Sequence, residues 1–293
     1  MSIRIIPLID PQLTSSARRL AWLAALPTGV PAGSAFLRLF TKAGQDHLAE
    51  LDLHVHPAEQ RAGVGSLLLT AAVAAAREEG RRSVIAEVEP GSPGDAFLVA
   101  RGFRKVLTLT YARLSLAGTD LAGLREIAHS PHPGYRLVAW DGIVPDELAE
   151  TFTASRHAMD DMPMDDTDYG TVHWDVDRVR EAARTIANRG DLLHTVAAVA
   201  ESDGSIAGFT ELVVPGDGKG DAQHYGTGVL PAHRGHGLAR WMKAEAVRRA
   251  RERYPDLDGL LTDTADGNRH MRAVNDGLGY VPTHQRVTLQ LDL

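Results

Sequence analysis

The sequence predicts two tandem domains of one α/β (α+β) fold. Three observations carry this: a motif that occurs twice, strand and helix periodicities that alternate through each half, and a length of 293 residues, enough for two domains at about 100–200 residues each. The motif reads Val-His-Pro-Ala-Glu-Gln-Arg-Ala-Gly-Val-Gly over residues 55–65 and Val-Leu-Pro-Ala-His-Arg-Gly-His-Gly-Leu-Ala over residues 229–239. Val55 matches Val229, Pro57 matches Pro231, Gln60 matches Arg234, Gly63 matches Gly237 and Gly65 matches Ala239, at a constant offset of 174 residues. In each copy a β-like segment ends at a Pro, a Gly-bearing turn follows, and an Ala/Leu-rich amphipathic helix begins. A turn of that kind offers backbone N–H groups to an anion.

Taken in order, Ile3 to Leu8 reads as a first strand. Ser15 to Leu26 reads as a helix that stops at Pro27-Thr28-Gly29. Ala35 to Phe40 and His47 to His56 alternate as strands do. Gly65 to Glu79 has helical periodicity and is closed by Gly80. Ser83 to Val88 is a strand, Asp95 to Ala100 a short helix, and Val106 to Leu116 a closing strand. The pattern then restarts with a strand at Arg136 to Trp140 and amphipathic helices at Asp146 to Met159 and Asp175 to Asn188. His194 to Ala200 and Ile206 to Val214 are strands joined by Asp203-Gly204, a hairpin signal. A polar loop at Gly216 to Gly220 leads to a strand at Gln223 to Leu230. A long helix at His236 to Arg253, a strand at Leu260 to Thr264, a helix at Arg269 to Asp276 and a strand at Gln285 to Leu291 complete the set.

Residues 117–134 are rich in Gly, His and Pro, although 121–128 has the pattern of a helical turn. The expected division is therefore 1–117, a linker at 118–134, and 135–293. From first strand to motif the second half is much longer than the first. The first copy is expected to be shortened by about one helix plus a hairpin's worth of chain.

Composition narrows the function classes. The charge of −7 argues against a dedicated nucleic-acid binder, which needs a basic face. The absence of cysteine removes disulfides, thiolate metal sites and an acyl-cysteine intermediate. Met1 to Asp10 lacks a signal pattern, and the most apolar helical stretch, Leu67 to Ala76, falls short of the roughly 20 residues a membrane span needs. A soluble cytoplasmic protein without membrane or nucleic-acid partners is the expectation. Aromatics are scarce at 5%, so Ala, Leu and Val must fill the core.

The second half also carries Asn-x-x-Met-x-x-x-Asn-x-x-Leu-Gly-Tyr over Asn268 to Tyr280. A strand, Pro-x-x-[Gln/Arg]-x-x-Gly-x-[Gly/Ala], a long helix, a strand and then this second motif resembles the GCN5-related N-acetyltransferases (GNAT superfamily). The doubling resembles the tandem-GNAT group, which includes mycothiol synthase-like proteins. The resemblance spans essentially the whole chain. It implies two domains, each a mixed, mostly antiparallel sheet flanked by helices, that use acetyl-CoA as co-substrate. It further implies that the turn holds the coenzyme's diphosphate, and that the strand before it splays from its neighbour and grips the pantetheine arm with unpaired main-chain groups. The residues implied are Val229, Leu230, Arg234, Gly235, His236, Gly237, Leu238, Ala239 and Asn268. The equivalent vestigial site in the first copy is Val55, Gln60, Arg61, Ala62, Gly63, Val64 and Gly65. A plain tight turn uses the same glycines, and Asn268 is equally natural as a helix N-cap.

Aligning Phe103 on Tyr280 places Asn268 on Gly91 and Asn275 on Leu98. The first copy lacks both polar positions, so the second domain is the expected catalytic one. In many members a Glu six residues before the Val is the base. Here that residue is Gln223, which cannot be one. Asp221, His224 and Glu211 are the nearby candidates. The position of the usual general-acid Tyr, seven residues after the Asn, is Asn275, with Tyr225 as a substitute. Residues 160–168 hold Asp160, Asp161, Asp165, Asp166 and Asp168. The family lines its acceptor site with this region, so Asp160, Asp161 and Asp165 are expected to attract a small cationic amine, although a solvated acidic loop reads the same way. His233, His236 and His270 lack metal-site spacing, and no metal is expected. Two functions follow from the resemblance. One is acetyl-CoA-dependent N-acetyl transfer to a primary amine by direct sequential transfer. The alternative is a non-catalytic acyl-CoA-binding sensor.

Overall fold

The computed structural model describes residues 3–9, 17–160, 166–170 and 172–293. In chain order the elements begin β1 (Arg4–Leu8), β2 (Ala17–Ala25), β3 (Pro31–Phe40), β4 (Leu48–Val55), α1 (Val64–Glu78), β5 (Ser83–Val88), α2 (Pro93–Val99), β6 (Arg104–Ser115) and α3 (Leu121–His129). They continue β7 (Tyr135–Asp141), α4 (Asp146–Ser155), α5 (Val176–Asn188), β8 (Leu192–Ala200), β9 (Ile206–Val214), β10 (Gly220–Val229), α6 (Leu238–Arg253), β11 (Leu257–Ala265), α7 (Arg269–Asp276) and β12 (Val281–Asp292). Single 3-10 turns occupy Pro57–Glu59, Arg156–Met159 and Pro231–His233.

The chain forms two compact units. The first takes the described residues within 1–108, 164–173 and 285–293, and the second those within 109–163 and 174–284. In the first, the strands run β1-β2-β3-β4-β5-β12. Pairings are antiparallel except for β4 with β5. In the second they run β6-β11-β10-β9-β8-β7, with β10 and β11 the parallel pair. Both are mixed, mostly antiparallel sheets, as the sequence implied. Residues 109–115 of β6 pair with β11 in the second unit, while residues 287–292 of β12 pair with β5 in the first. Each half of the sequence thus contributes a closing strand to the unit named for the other. The stretch expected as a linker holds α3, capped by Asp120. Leu124 of α3 packs into the second unit's core, and Ala128 O accepts from Trp241 Nε1 of α6 at 2.8 Å.

The helix expected over Ser15 to Leu26 is not found; its described residues 17–25 form β2. Ala, Leu and Arg favour a helix locally. Here the segment is hydrogen-bonded on both sides, by β1 and β3, and buries Ala17, Ala21, Ala24 and Ala25. Tertiary pairing overrides propensity. This corrects the account of the shortened copy. The β2–β3 hairpin is present, as β8–β9 is in the second half, and among the described residues of 1–108 no helix stands between the first strand and that hairpin as α4 and α5 do in the second half.

The two units repeat a close strand approach as well as a motif. A Cβ on Gly33 would lie 2.5 Å from His54 O, and one on Gly208 would lie 2.7 Å from Gly228 O. These glycines face Val55 and Val229 respectively. In the first unit, α1 buries Leu68, Leu69, Ala72 and Ala76 against Leu37, Leu39 and Leu51 of the sheet. In the second, α6 packs on one sheet face with Val196, Ala198 and Ala207, while α4 and α5 cover the other with Phe152 and Val179 against Ala197 and Phe209.

Candidate functional site

In the second unit a 3-10 turn at Pro231–His233 feeds Arg234, then Gly235 at φ +84° and Gly237 at φ +74°. Gly237 is the N-cap of α6 in left-handed conformation, with no side-chain cap. The first N–H groups of a helix have no intrahelical partner. The macrodipole adds roughly half a positive charge there. Arg234 turns back to donate from Nε to Val229 O at 3.1 Å. Leu238 and Ala239 bury their side chains, while the His236 ring lies 5.4 Å from that of Tyr135. A Cβ on Gly237 would sit 3.5 Å from His132 Nε2, so an imidazole from the α3–β7 connection stands beside the turn. Residues 234–239 therefore form one turn at the start of α6, and His132, which the sequence did not single out, stands beside it.

The strands ahead of this turn part. The β10–β11 ladder ends at Gln223 and Leu261, although β10 continues to Val229 and β11 to Ala265. Leu230 N donates to Ala207 O at 2.9 Å. Strand alternation then turns the Val229 N–H to the opposite edge, into the opening. Leu230 was expected to grip the arm alongside Val229, but its N–H is committed to β9. A register shift between His224 and Gly226 makes Tyr225 a bulged residue. Tyr225 is half-exposed, and its hydroxyl accepts from Arg189 NH2 at 2.6 Å.

The catalytic candidates are dispersed. Glu211 is buried, and Arg156 bonds both its oxygens, at 2.6 and 2.8 Å. The guanidinium lies within 4.8 Å of the Phe152, Trp174 and Phe209 ring centroids. With both oxygens bound in that fork, the carboxylate ties the Arg156–Met159 turn to β9 rather than facing the opening. His224 faces the other side of the sheet, toward α6. Its Nε2 is hydrogen-bonded to the Tyr280 hydroxyl at 2.8 Å. Burial, then the Lys243 charge, holds its imidazole well below the ordinary range. It is a neutral core group and a poor base.

Asn275 is buried on α7. Lys243 Nζ donates to its Oδ1 at 2.7 Å, and its Nδ2 donates to Thr264 Oγ1 at 3.0 Å. Lys243 is itself buried, 4.9 Å from the Tyr280 ring centroid, and burial lowers it to about 7. Sequence reasoning missed Lys243 because a Lys in an Arg-rich helix reads as a solvated charge. Asp263 was missed too. It lies exposed on the parted stretch of β11, with Oδ1 3.5 Å from Gln223 Nε2. Asn268 caps α7 by accepting from Met271 N at 3.1 Å. Asp160 bonds His157 Nδ1 at 2.8 Å. Asp161 and Asp165 lie outside the described residues. Asp166 and Asp168, from the same acidic run, belong to the first unit, where Asp166 N donates to Val106 O and Asp168 N to Gln290 Oε1.

The first copy keeps the backbone of this site. Gly63 caps α1 in left-handed conformation at φ +87°, after the 3-10 turn Pro57–Glu59. Gln60 Nε2 reaches Val55 O at 3.5 Å, as Arg234 reaches Val229 O. Arg61 takes φ +65° where the second copy has Gly235. Ala62 completes this turn. Val64 is buried, and a Cβ on Gly65 would meet Phe97 at 3.3 Å. The β4–β5 ladder ends at Glu50 and Ile85, so these strands also part.

Among the described residues no three His, Asp or Glu side chains converge as a metal would need, and no helix is long and apolar enough to cross a membrane. A helix start with a left-handed Gly cap beside parted parallel strands, present twice, accords with comparisons to known proteins. The acetyltransferase (GNAT) family profile matches residues 6–103 and 156–280, more than half of the chain. The chain belongs to the GNAT family, whose general activity is acetyl transfer from acetyl-CoA. Among solved structures, a tandem GNAT protein from the clavulanic acid biosynthesis pathway, without acetyl-CoA, is similar at 26% identity and TM-score 0.74, covering 96% of this chain and 84% of that one. A GCN5-related N-acetyltransferase from Sphaerobacter thermophilus is similar in fold at 17% identity and TM-score 0.64, covering 93% and 80%. One from Kribbella flavida has 19% identity and TM-score 0.57, covering 94% and 89%. No curated protein matches the sequence significantly.

Proposed function

We propose that the second half is catalytic and transfers the acetyl group of acetyl-CoA to the primary amine of a small, cationic acceptor, directly and sequentially. The observation that carries the reading is the uncapped helix start at Gly237 beside strands that part after Gln223 and Leu261. The acyl donor supplies an activated thioester. The amides of Gly235, His236, Gly237, Leu238 and Ala239, with Arg234, are placed to bind its diphosphate. The Val229 N–H is placed to stabilise the carbonyl oxygen as it gains charge. Asn275 takes the place of a general acid as a hydrogen-bond donor to the departing sulfur.

Gln223 occupies the usual base position, and the carboxylate beside it is Asp263 on the neighbouring strand. We assign Asp263 to accepting the amine's proton and, with Asp160, Asp161 and Asp165, to attracting a cation. Thiol release from acetyl-CoA across an amine panel tests this. Polyamines and amino sugars are expected to outperform neutral or anionic amines, and the reverse order removes the cationic-acceptor reading. Gln223 and Asn275 also suit a second reading, an acyl-CoA-binding sensor. Tight coenzyme binding with no thiol release from any amine would select it.

A further inference from the structure

Lys243 is out of keeping with its surroundings. It sits six residues beyond Gly237 on α6 and is 1% exposed, between helix neighbours that bury Met242 and Ala244. The first copy shows what this position holds when only packing matters. Six residues beyond Gly63 stands Leu69, which is buried in the first core. Asn275 is matched by Leu98: Tyr280 N donates to Asn275 O at 3.1 Å, and Phe103 N donates to Leu98 O at 3.2 Å. Tyr280 is matched by Phe103. Leu69, Leu98 and Phe103 are all buried. The same framework therefore closes with three apolar side chains. A buried ammonium is costly unless it is paired, so the fold gives no reason for Lys243.

Its chemistry gives one. An ammonium has three donors and no acceptor. Nζ donates to the Asn275 carbonyl oxygen at 2.7 Å, a bond the ammonium can make only with that oxygen and the neutral amine can still donate, and the same orientation lets the Asn275 NH2 group bond Thr264. That NH2 group points the other way, toward β11, where Thr264 Oγ1 takes one N–H at 3.0 Å. Thr264 lies beyond Leu261, the last β11 residue paired with β10, within the parted stretch. Among the described residues Thr264 is the one acceptor of that NH2 group, which leaves its second N–H without a protein acceptor.

On the acyltransferase reading, on which this inference rests, we propose that Lys243 is a positioning residue for acetyl transfer: it holds the Asn275 carbonyl so that the amide N–H is aimed at the thioester sulfur between β10 and β11. The acceptor nitrogen bonds to the acetyl carbon, the C–S bond breaks, and its electron pair leaves on sulfur. The Asn275 N–H hydrogen-bonds the sulfur as that charge develops. The nitrogen's proton passes to Asp263 and solvent, and the thiolate takes a proton from solvent. Lys243 and Asn275 keep their protons throughout.

The test is Lys243→Met in the full chain, which keeps volume and removes both donor and charge. The expected protein has a Tm at or above wild type, a KM for acetyl-CoA within about twofold, and a kcat lowered ~10-fold or more. Asn275→Leu is expected to lose as much, and the double variant no more than Asn275→Leu alone. Lys243→Gln, which can still donate, is expected to recover part of kcat. An unchanged kcat in K243M, or losses that add in the double variant, overturns the inference alone. A wild-type protein that releases no thiol with any amine overturns the acyltransferase reading and this inference together. A readout independent of turnover is the Asn275 side-chain amide resonance. Coenzyme A is expected to shift it in wild type, and no shift overturns the proposal even if the variants fail to fold.

Discussion

The two copies of the Gly-bearing turn differ less in backbone than in side chains. Each begins with a Pro-led 3-10 turn, returns a long side chain to the carbonyl of a strand-terminal Val, and starts its helix at a left-handed Gly. Yet Arg61 holds a left-handed conformation that the second copy gives to Gly235, at a cost of roughly 1–2 kcal/mol. Beneath the turn, Leu69, Leu98 and Phe103 stand where Lys243, Asn275 and Tyr280 stand. The comparison teaches that one backbone framework accepts either a polar or an apolar set of side chains beneath it. The turns themselves are nearly alike, and the buried groups are what distinguish the copies.

The sharpest way to break this comparison is to strain both turns equally. Gly237→Val and Gly63→Val each force a branched residue to positive φ, and both are expected to lower stability by about 1–2 kcal/mol. Only G237V is expected to lose turnover, by ~100-fold or more, because the side chain also blocks approach to the amides. Thermal melts and thiol-release rates on the pair check it. Equal losses of turnover would make the first copy a second catalytic site.

Next in size is the buried ion pair. Counting from Gly33 and Gly208, which face Val55 and Val229, the first copy has Phe36 at the register position of Glu211. Glu211→Ala would leave Arg156 buried and uncompensated, and is expected to cost about 3–5 kcal/mol in urea unfolding. Phe36→Ala is expected to cost less, since Phe36 is only half-buried. A mild stability effect with a large activity loss in Glu211→Gln would return Glu211 to the role of base.

Lys243 offers a pH test. Burial lowers it to about 7 in the folded protein, against about 10.4 in an unfolded chain. Between those values the unfolded state binds more protons, so stability rises with pH across the window and is lost as pH falls toward 7. His224 and Tyr280 face it from β10 and the residues after α7, the Asp263 charge raises it from β11, and all three are unchanged in K243M. Wild type is therefore expected to gain on K243M between pH 7 and pH 10 in urea midpoints. A Leu69→Met variant of the other copy is expected to show no such window. Parallel pH curves for wild type and K243M would place an unshifted ammonium at this position.

Much of this was legible in the sequence, and the exceptions have physical causes. The doubled motif located both turns, because Pro, Gly and a strand-to-helix switch are local signals; the parting of the strand at 228–230 from that at 260–264 was what the family resemblance implied. The strand at 17–25 was read as a helix because Ala, Leu and Arg favour one, and only the β1 and β3 ladders decide otherwise. His224 was placed as a candidate base because alternation gives a face but not what packs on it. Lys243 was hidden by composition, although the 174-residue offset that aligns the turns also lays it on Leu69. An ionisable residue aligned with an apolar one across an internal repeat was the available signal.

The smallest expected difference concerns the caps of α2 and α7. Sequence alignment put Asn268 opposite Gly91. The structure shows the capping role held by Ser92, whose Oγ accepts from Asp95 N at 3.2 Å, as Asn268 Oδ1 accepts from Met271 N at 3.1 Å. The shift arises because α7 is one residue longer than α2. Ser92→Ala and Asn268→Ala each remove one cap and are expected to lower stability by about 1 kcal/mol. If Asn268 also contacts the acyl donor, as the family resemblance implies, only N268A weakens acetyl-CoA binding beyond what its stability loss explains, by a fewfold in isothermal titration. Equal stability losses with unchanged affinity would reduce Asn268 to a cap and confine the difference between the copies to the turn and the buried cluster beneath it.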